Sequence, residues 1–421
     1  MKRFVILAAA VFCFAGFVRA ETILPGDREA RFLLRGARAE LFENILPFWL
    51  GHSFEERNDG FVGRMSNDLT IDRYAEKNLS MAARLLWFFS AAHRLKPDDD
   101  CLEAAERAAE YLEEYFFDDD EEGYFWRLHS NGRPLDKKKV LYGHAFVVYG
   151  LSEYVMATGD EEALEKAKKL FELIESKFCD EESGHGYLEI LTQDWDSFRK
   201  AALLKGVPEG GKTMNAHLHM LEAYANLYRA WPDPRVEDAL RKLVRLFIDK
   251  MLNAEESYFY QAFDEEWEPL NESYSFGHDL EAVWLVCDAA ETLDDPELIQ
   301  EVYDLSLKVT DAVLMLGVDK DGGLFNQGEG GVVTQTGKSW WPQAEGVTGF
   351  LQAWQITQDL RYLNAATGVW EFIEKRLVDS KNGEWFKSAS DAGKPKGVKI
   401  SEWKGPYHNG RACIELIKRL Q

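Results

Sequence analysis

The sequence predicts an all-α chain, an (α/α)6 barrel of six helical hairpins with short β-hairpins in the loops at one end. Three observations point there. Helical periodicity repeats at a long interval, the helices alternate between two kinds, and the segments joining them share a turn signature.

Apolar residues at helical spacing mark twelve segments, at about 28–49, 75–95, 99–116, 141–158, 161–177, 212–230, 235–252, 277–293, 296–315, 342–357, 360–378 and 406–420. Glu161 to Lys177 (EEALEKAKKLFELIESK) carries one apolar stripe on a charged background, as a helix with one face in solvent should. Ala145 to Tyr154 (AFVVYGLSEY) and Ala282 to Ala290 (AVWLVCDAA) are apolar nearly all round, so they belong inside. The loops after the outer helices carry Glu122-Gly123-Tyr124-Phe125-Trp126, Gly184-His185-Gly186-Tyr187, Tyr258-Phe259-Tyr260, Gly322-Gly323-Leu324-Phe325 and Gly383-Glu384-Trp385-Phe386. Each reads as a tight turn followed by a short strand that leads to the next inner helix. With the inner helices parallel, their N-termini gather at this loop-rich end.

Residues 1–20 begin with Lys2 and Arg3, run apolar from Phe4 to Val18, and end on small residues at Val18 and Ala20, the pattern of a cleaved leader. The expectation is an exported protein, periplasmic or secreted, whose residues 21–421 form one barrel domain, since no Pro/Ser/Gly-rich linker divides them. Loss of Lys2, Arg3 and Arg19 would take the formal charge from −24 to −27. That balance argues against a nucleic-acid partner, which needs clustered cations. No later apolar run is long enough for a bilayer, so no membrane association is expected after processing. Cys101, Cys179, Cys287 and Cys413 show no metal-finger or CxxC spacing and are read as buried thiols, with a disulfide left open. Oligomeric state is not readable, a monomer being the simpler expectation.

Arg84, His144, His219, His278, Glu345 and His408 stand at or near inner-helix starts, about 60 to 75 residues apart, one helix pair and its loop. The ring would bring them together. In TMNAHLHMLE, Asn215 and His219 share a helical face while His217 is rotated away. In FGHDLE, Glu281 follows His278 by three residues, within reach of its imidazole. WKGPYHN places Tyr407 and His408 behind a helix-starting proline. Trp403, Trp340 and Trp341 offer flat apolar faces of the kind that suit sugar rings.

No HExxH pattern occurs among the nine histidines, and neither a phosphate-cradling GxxxxGKS/T loop nor a GxGxxG after a strand is present; Gly328 to Gly331 is a turn. The expectation is therefore no metal and no nucleotide, with proton transfer by histidines in a pocket that also holds an arginine and acids.

The motifs KNLSMAARLLWFFSAAHR, VLYGHAF, TMNAHLHMLEAY, FGHDLEAVWL, WWPQAEG and WKGPYHNGRACIE resemble the N-acylglucosamine 2-epimerase superfamily, and within it the cellobiose 2-epimerase branch, from about Leu34 to Leu420. PYHN carries the choice of branch. The resemblance implies the (α/α)6 fold, no cofactor, and epimerisation at C2 of the reducing-end sugar of a β-1,4-linked disaccharide. It further implies that His278 and His408 are the proton-transfer pair and His219 assists, with Arg84, Tyr142, Asn215, Glu281, Trp341 and Trp403 lining the sugar site. Glu345 joins them on its helix-start position. His144 stands where the family often has glutamine and is read as peripheral, and export departs from the many cytoplasmic members. An aldose–ketose isomerase, a glycoside hydrolase on the same toroid and a non-catalytic sugar binder remain alternatives.

Overall fold

The computed structural model describes residues 26–56, 60–180, 186–196, 207–208, 210–389 and 394–421. The leader at 1–20 and His185 of the second hairpin lie outside the described residues.

The described residues form twelve helical rods. α1 runs through Asp27–Ala39, a π turn at Glu40–Ile45, and Leu46–His52. α2 is Leu79–Leu95, α3 is Asp99–Tyr111 extended by a π turn at Leu112–Phe116, α4 is Leu141–Thr158 and α5 is Glu161–Lys177. α6 is Met214–Ala230, α7 is Pro234–Leu246 extended by Phe247–Met251, and α8 is Phe276–Thr292. α9 is Pro296–Leu316, α10 is Trp340–Thr357, α11 is Leu360–Arg376 and α12 is Tyr407–Leu420. The even-numbered helices form the inner ring: each packs on the next, and α12 returns to α2. The odd-numbered helices form the outer layer. α1 closes it by packing on both α11 and α12, so the ring is sealed without a peptide link. None of the described helices is long and apolar enough to cross a membrane.

Short turns join each inner helix to the following outer one, and aspartate explains how they end. Asp98, Asp160, Asp233, Asp295 and Asp359 each accept a first-turn backbone N–H of an outer helix. Such caps satisfy donors that a helix start cannot pair internally.

The long outer-to-inner connections carry the hairpins. Phe117 bridges Tyr124, Cys179 bridges Tyr187, Val318 bridges Leu324 and Val378 bridges Trp385, while Leu252–Asn253 pairs with Tyr258–Phe259. A further hairpin, Phe54–Glu55 with Gly60–Phe61, follows α1. The turn glycines Gly123, Gly186, Gly322 and Gly383 hold φ between 68° and 95°, a region costly for side chains with a Cβ.

A second set of strands links neighbouring repeats. Lys77–Asn78, just before α2, pairs with Arg127–Leu128 in the loop before α4; Lys139–Val140 pairs likewise with Ile190–Leu191, Lys212–Thr213 with Ala262–Phe263, and Ser273–Ser275 with Gln327–Glu329. The first helix boundary is corrected by this set. The periodicity placed α2 from about residue 75, but Lys77 and Asn78 are strand, and the Asn78 side chain accepts the Ser80 N–H to start the helix. α10 begins earlier than expected, at Trp340, so Trp340 and Trp341 lie in its first turn and not in a loop. Cys101, Cys287 and Cys413 are buried and Cys179 is half-buried.

Candidate active site

One rule of placement builds the site. The second and sixth residues of an inner helix share a face that looks into the ring at the loop end. In the first five inner helices the sixth residues are Arg84, Phe146, His219, Glu281 and Glu345; the second include Tyr142, Asn215, Trp341 and, on α12, His408. The fourth residues turn outward to the hairpins. His144 Nε2 accepts the Tyr124 N–H at 3.1 Å while its Nδ1 faces the Val140 carbonyl at 2.8 Å. His217 does the same with Tyr187 at 3.0 Å and Thr213 at 2.9 Å. Asp279 and Gln343 accept from Phe259 and Leu324 in the corresponding places.

His144 and His217 are thus staples between helix and hairpin, which puts His144 outside the pocket, as expected, and gives it a task. Burial holds them uncharged, down to about 3 and about 4. Replacing His144 with alanine leaves the Tyr124 N–H without its acceptor. The expected result is a loss of about 1–3 kcal/mol of stability, read as a lower urea midpoint, with kcat/KM unchanged.

The floor of the site is a buried guanidinium surrounded by carboxylates. Arg411, on α12, donates to Glu222, to the Tyr407 hydroxyl, to Glu281 Oε1 and, at 2.7 Å, to Glu345 Oε1. It also lies 4.2 Å from the Tyr407 ring centroid and 4.8 Å from that of Trp284. Trp284 in turn donates to Glu345 Oε2 at 3.0 Å. One cation cannot neutralise three acids equally. Burial and the neighbouring Glu345 push Glu281 up to about 8, although Arg411 pulls the other way. Burial also raises Glu345. For Glu222 burial is opposed by Arg411 and His219, and the balance leaves it at about 2.

Above this floor stand the histidines. His408 Nδ1 is 2.6 Å from Glu345 Oε1 and 3.8 Å from Glu281 Oε1. His278 Nδ1 is 2.7 Å from Gln261 Oε1. The Trp341 indole contacts both imidazoles, at centroid distances of 4.6 Å from His278 and 5.6 Å from His408. His219 Nδ1 lies 3.2 Å from Glu222 Oε2 and 3.3 Å from the Tyr407 hydroxyl, with its ring edge-on to Tyr142. Burial is the main reason all three imidazoles stay uncharged: His278 is brought down to about 3 and His219 to about 4, and His408 is likewise held well below its ordinary value, with the help of Arg411 and Arg84. Uncharged rings are competent bases.

Arg84 donates to the Tyr142 hydroxyl at 2.6 Å and lies against the faces of Phe146 and Tyr407. Asn215 is half-buried, one turn above His219. Trp403 stays 37% exposed with its ring 5.9 Å from Tyr142 and 6.4 Å from Trp126, an aromatic face at the mouth. Trp340 is core, so the adjacent pair divides into one core ring and one site ring.

Arg411, Glu222 and Gln261 were not singled out in the sequence. Arg411 had a signal: it is the lone formal charge in YHNGRAC, the first half of α12, four residues after Tyr407. Glu281, Glu345 and His408 also bring ligand-type atoms within 4.8 Å of one another, the closest approach to a metal cluster among the described residues. Both carboxylates already accept from Arg411, which supplies the cation there.

The sequence profile of the N-acylglucosamine 2-epimerase (GlcNAc 2-epimerase) family matches residues 60–412. The chain belongs to this family. It is 40% identical over 385 residues to the cellobiose 2-epimerase of Bacteroides fragilis, covering 90% of this chain and 97% of that one. The solved structure of cellobiose 2-epimerase from Bacillus thermoamylovorans superposes with a TM-score of 0.87 at 35% identity, covering 92% of this chain and 100% of that one. The Spirochaeta thermophila cellobiose 2-epimerase gives 0.84 at 38% identity, covering 93% and 98%. These likenesses establish the (α/α)6 barrel and extend over nearly the whole ring.

Proposed function

We propose that the chain epimerises C2 of the reducing-end sugar in a β-1,4-linked disaccharide, without a cofactor, through a cis-enediolate with His278 and His408 as the acid–base pair. The family and its cellobiose 2-epimerase relatives make the chain a carbohydrate epimerase. The observation that carries the finer reading is that two imidazoles from different inner helices, α8 and α12, both pack against the Trp341 indole.

The C2 proton of a sugar is acidic only when C1 is a carbonyl. Ring opening comes first, with a proton delivered to the ring oxygen as the O1 proton is withdrawn. One imidazole then takes H2, and the resulting enediolate carries negative charge on oxygen. Arg84 is the cation placed to meet it, in a dry setting where such donors act strongly. The second imidazole, charged by the O1 proton it took at ring opening, meets the other face of C2 after rotation about C2–C3 and returns that proton to carbon; the first passes the proton it took from C2 to O1 as the ring recloses. His219, held by Glu222 and Tyr407, assists from the adjoining wall.

The carboxylates support this chemistry over glycoside hydrolysis, which needs two acids free to flank a scissile bond. Glu222, Glu281 and Glu345 all accept from Arg411 instead. Incubation with cellobiose and β-1,4-mannobiose in D2O, followed by NMR, tests the proposal. A C2 epimer deuterated at C2 is expected; a ketose, monosaccharides or unchanged sugar would reject it in favour of an isomerase, a hydrolase or a binder.

The rate should follow a bell in pH. The base is active uncharged, and burial keeps His278 uncharged until the pH falls toward about 3, so the acid limb of kcat/KM is expected below the usual imidazole value of about 6.5. The proton on the carboxyl cluster beside His408 is released as Glu281 ionises at about 8, which sets the alkaline limb. Initial rates across both limbs check this.

The leader pattern at 1–20 also leads us to propose export. N-terminal sequencing of protein recovered outside the cytoplasm, beginning at or near Glu21, tests it.

A further inference from the structure

We infer that Gln261 is a positioning residue for His278: it fixes the imidazole with the proton on Nδ1 and the lone pair on Nε2, and Asp279 holds Gln261 in that pose through the backbone of Phe259. The inference rests on the proposed role of His278 for its kinetic consequences, but not for the geometry itself.

Three hydrogen bonds, joined by the chain from His278 to Asp279, form a closed circuit. Gln261 Nε2 donates to the Phe259 carbonyl at 2.8 Å. That bond decides which end of the amide faces the histidine, because reversing it would set two oxygens against each other. The oxygen is therefore the atom 2.7 Å from His278 Nδ1. An amide oxygen only accepts, so Nδ1 must carry the hydrogen. Phe259 is itself pinned, since its N–H donates to Asp279 Oδ1 at 2.9 Å, and Asp279 follows His278 on α8. The Gln261 carbonyl also accepts from Met214 N at the start of α6, at 3.2 Å. Among the described residues no hydrogen bond reaches His278 Nε2, which is left as the basic atom.

The other imidazole has a different partner. His408 Nδ1 faces the Glu345 carboxyl group, not an amide. A carboxylate stabilises a charged imidazolium and a neutral amide does so far less. The two histidines are thus unequal by construction: burial keeps His278 uncharged, and Gln261 gives it a partner that adds no charge.

Two variants and one spectrum test this. Gln261→Leu removes the acceptor and frees the ring to change tautomer, so kcat is expected to fall about 10- to 100-fold, part of the ~10²–10⁴-fold that a positioned acid–base group supplies, with KM unchanged. Gln261→Glu keeps an acceptor but gives His278 a charged partner; the acid limb of kcat/KM should move up by about one pH unit while kcat above that limb is retained. In protein labelled with ¹⁵N-histidine, His278 of the parent should show a protonated Nδ1 and a bare Nε2, and the Leu variant a mixture. That spectrum needs no substrate. A parent with Nε2 protonated, a folded Leu variant with unaltered kcat, or a Glu variant with an unmoved acid limb would overturn the inference. If the parent turns over no disaccharide yet shows the stated tautomer, the functional proposal falls and the positioning of His278 by Gln261 stands.

Discussion

Alanine at His278 or at His408 is expected to slow C2 proton exchange by about 10²- to 10⁴-fold while leaving the ring folded. Neither ring is a keystone of the core. Removing His278 leaves Gln261 Oε1 facing the open pocket, where water can replace the imidazole. Removing His408 leaves Glu345 with Arg411 and Trp284. The two losses should not multiply, because one step takes the proton and the other returns it, and a cycle missing either is already broken. Loss of the C2 proton signal in D2O gives the rate, and circular dichroism gives the fold. A folded variant that exchanges as fast as the parent would remove that histidine from the mechanism.

Methionine at Arg411 is expected to cost about 3–5 kcal/mol of stability, the usual range for breaking a buried ionic network by deleting one partner, and to abolish turnover. The guanidinium is the shared donor for Glu222, Glu281 and Glu345, from three other inner helices, so its loss strands like charges in a dry ring. The sign of the pH dependence follows from Glu222. In the parent its carboxyl sits at about 2, below its unfolded value, a contribution present above the unfolded pKa and lost as pH falls through the folded one. Without Arg411 burial dominates and the pKa rises above the unfolded value, a penalty that grows with pH. The stability gap between parent and variant, from urea unfolding, should therefore narrow between neutral and mildly acidic pH. A gap that stays constant or widens would mean that Arg411 does not carry the charge balance of the floor.

What could be read from the sequence was what helical geometry makes local. The split into inner and outer helices follows from apolar coverage, and the four-residue spacing of Asn215 and His219 separates the inward imidazole from His217. The same rule would have put His144 with the staples, since it is fourth in its helix where His219 is sixth. The missing pieces are non-local. Arg411 finds its carboxylates on α6, α8 and α10, and no pattern near GRACIE announces them. Gln261 lies between two-residue strands with no periodicity to place it. The strand pairs joining neighbouring repeats are equally short, so their register has no alternating pattern behind it. Lys77 in one of them was absorbed into α2 for that reason.

The absence of a peptide link between α12 and α1 has a consequence for how the protein fails. Five helix pairs are tethered by turns of a few residues, whereas this pair is held by packing and by Glu384 of the last hairpin, which accepts from Trp49 on α1 at 3.4 Å and from Asn409 on α12 at 2.7 Å. Fraying should start there and carry away the last helix with His408 and Arg411. Inactivation by denaturant would then precede the loss of ellipticity, and a covalent clamp across the seam would bring the two transitions together.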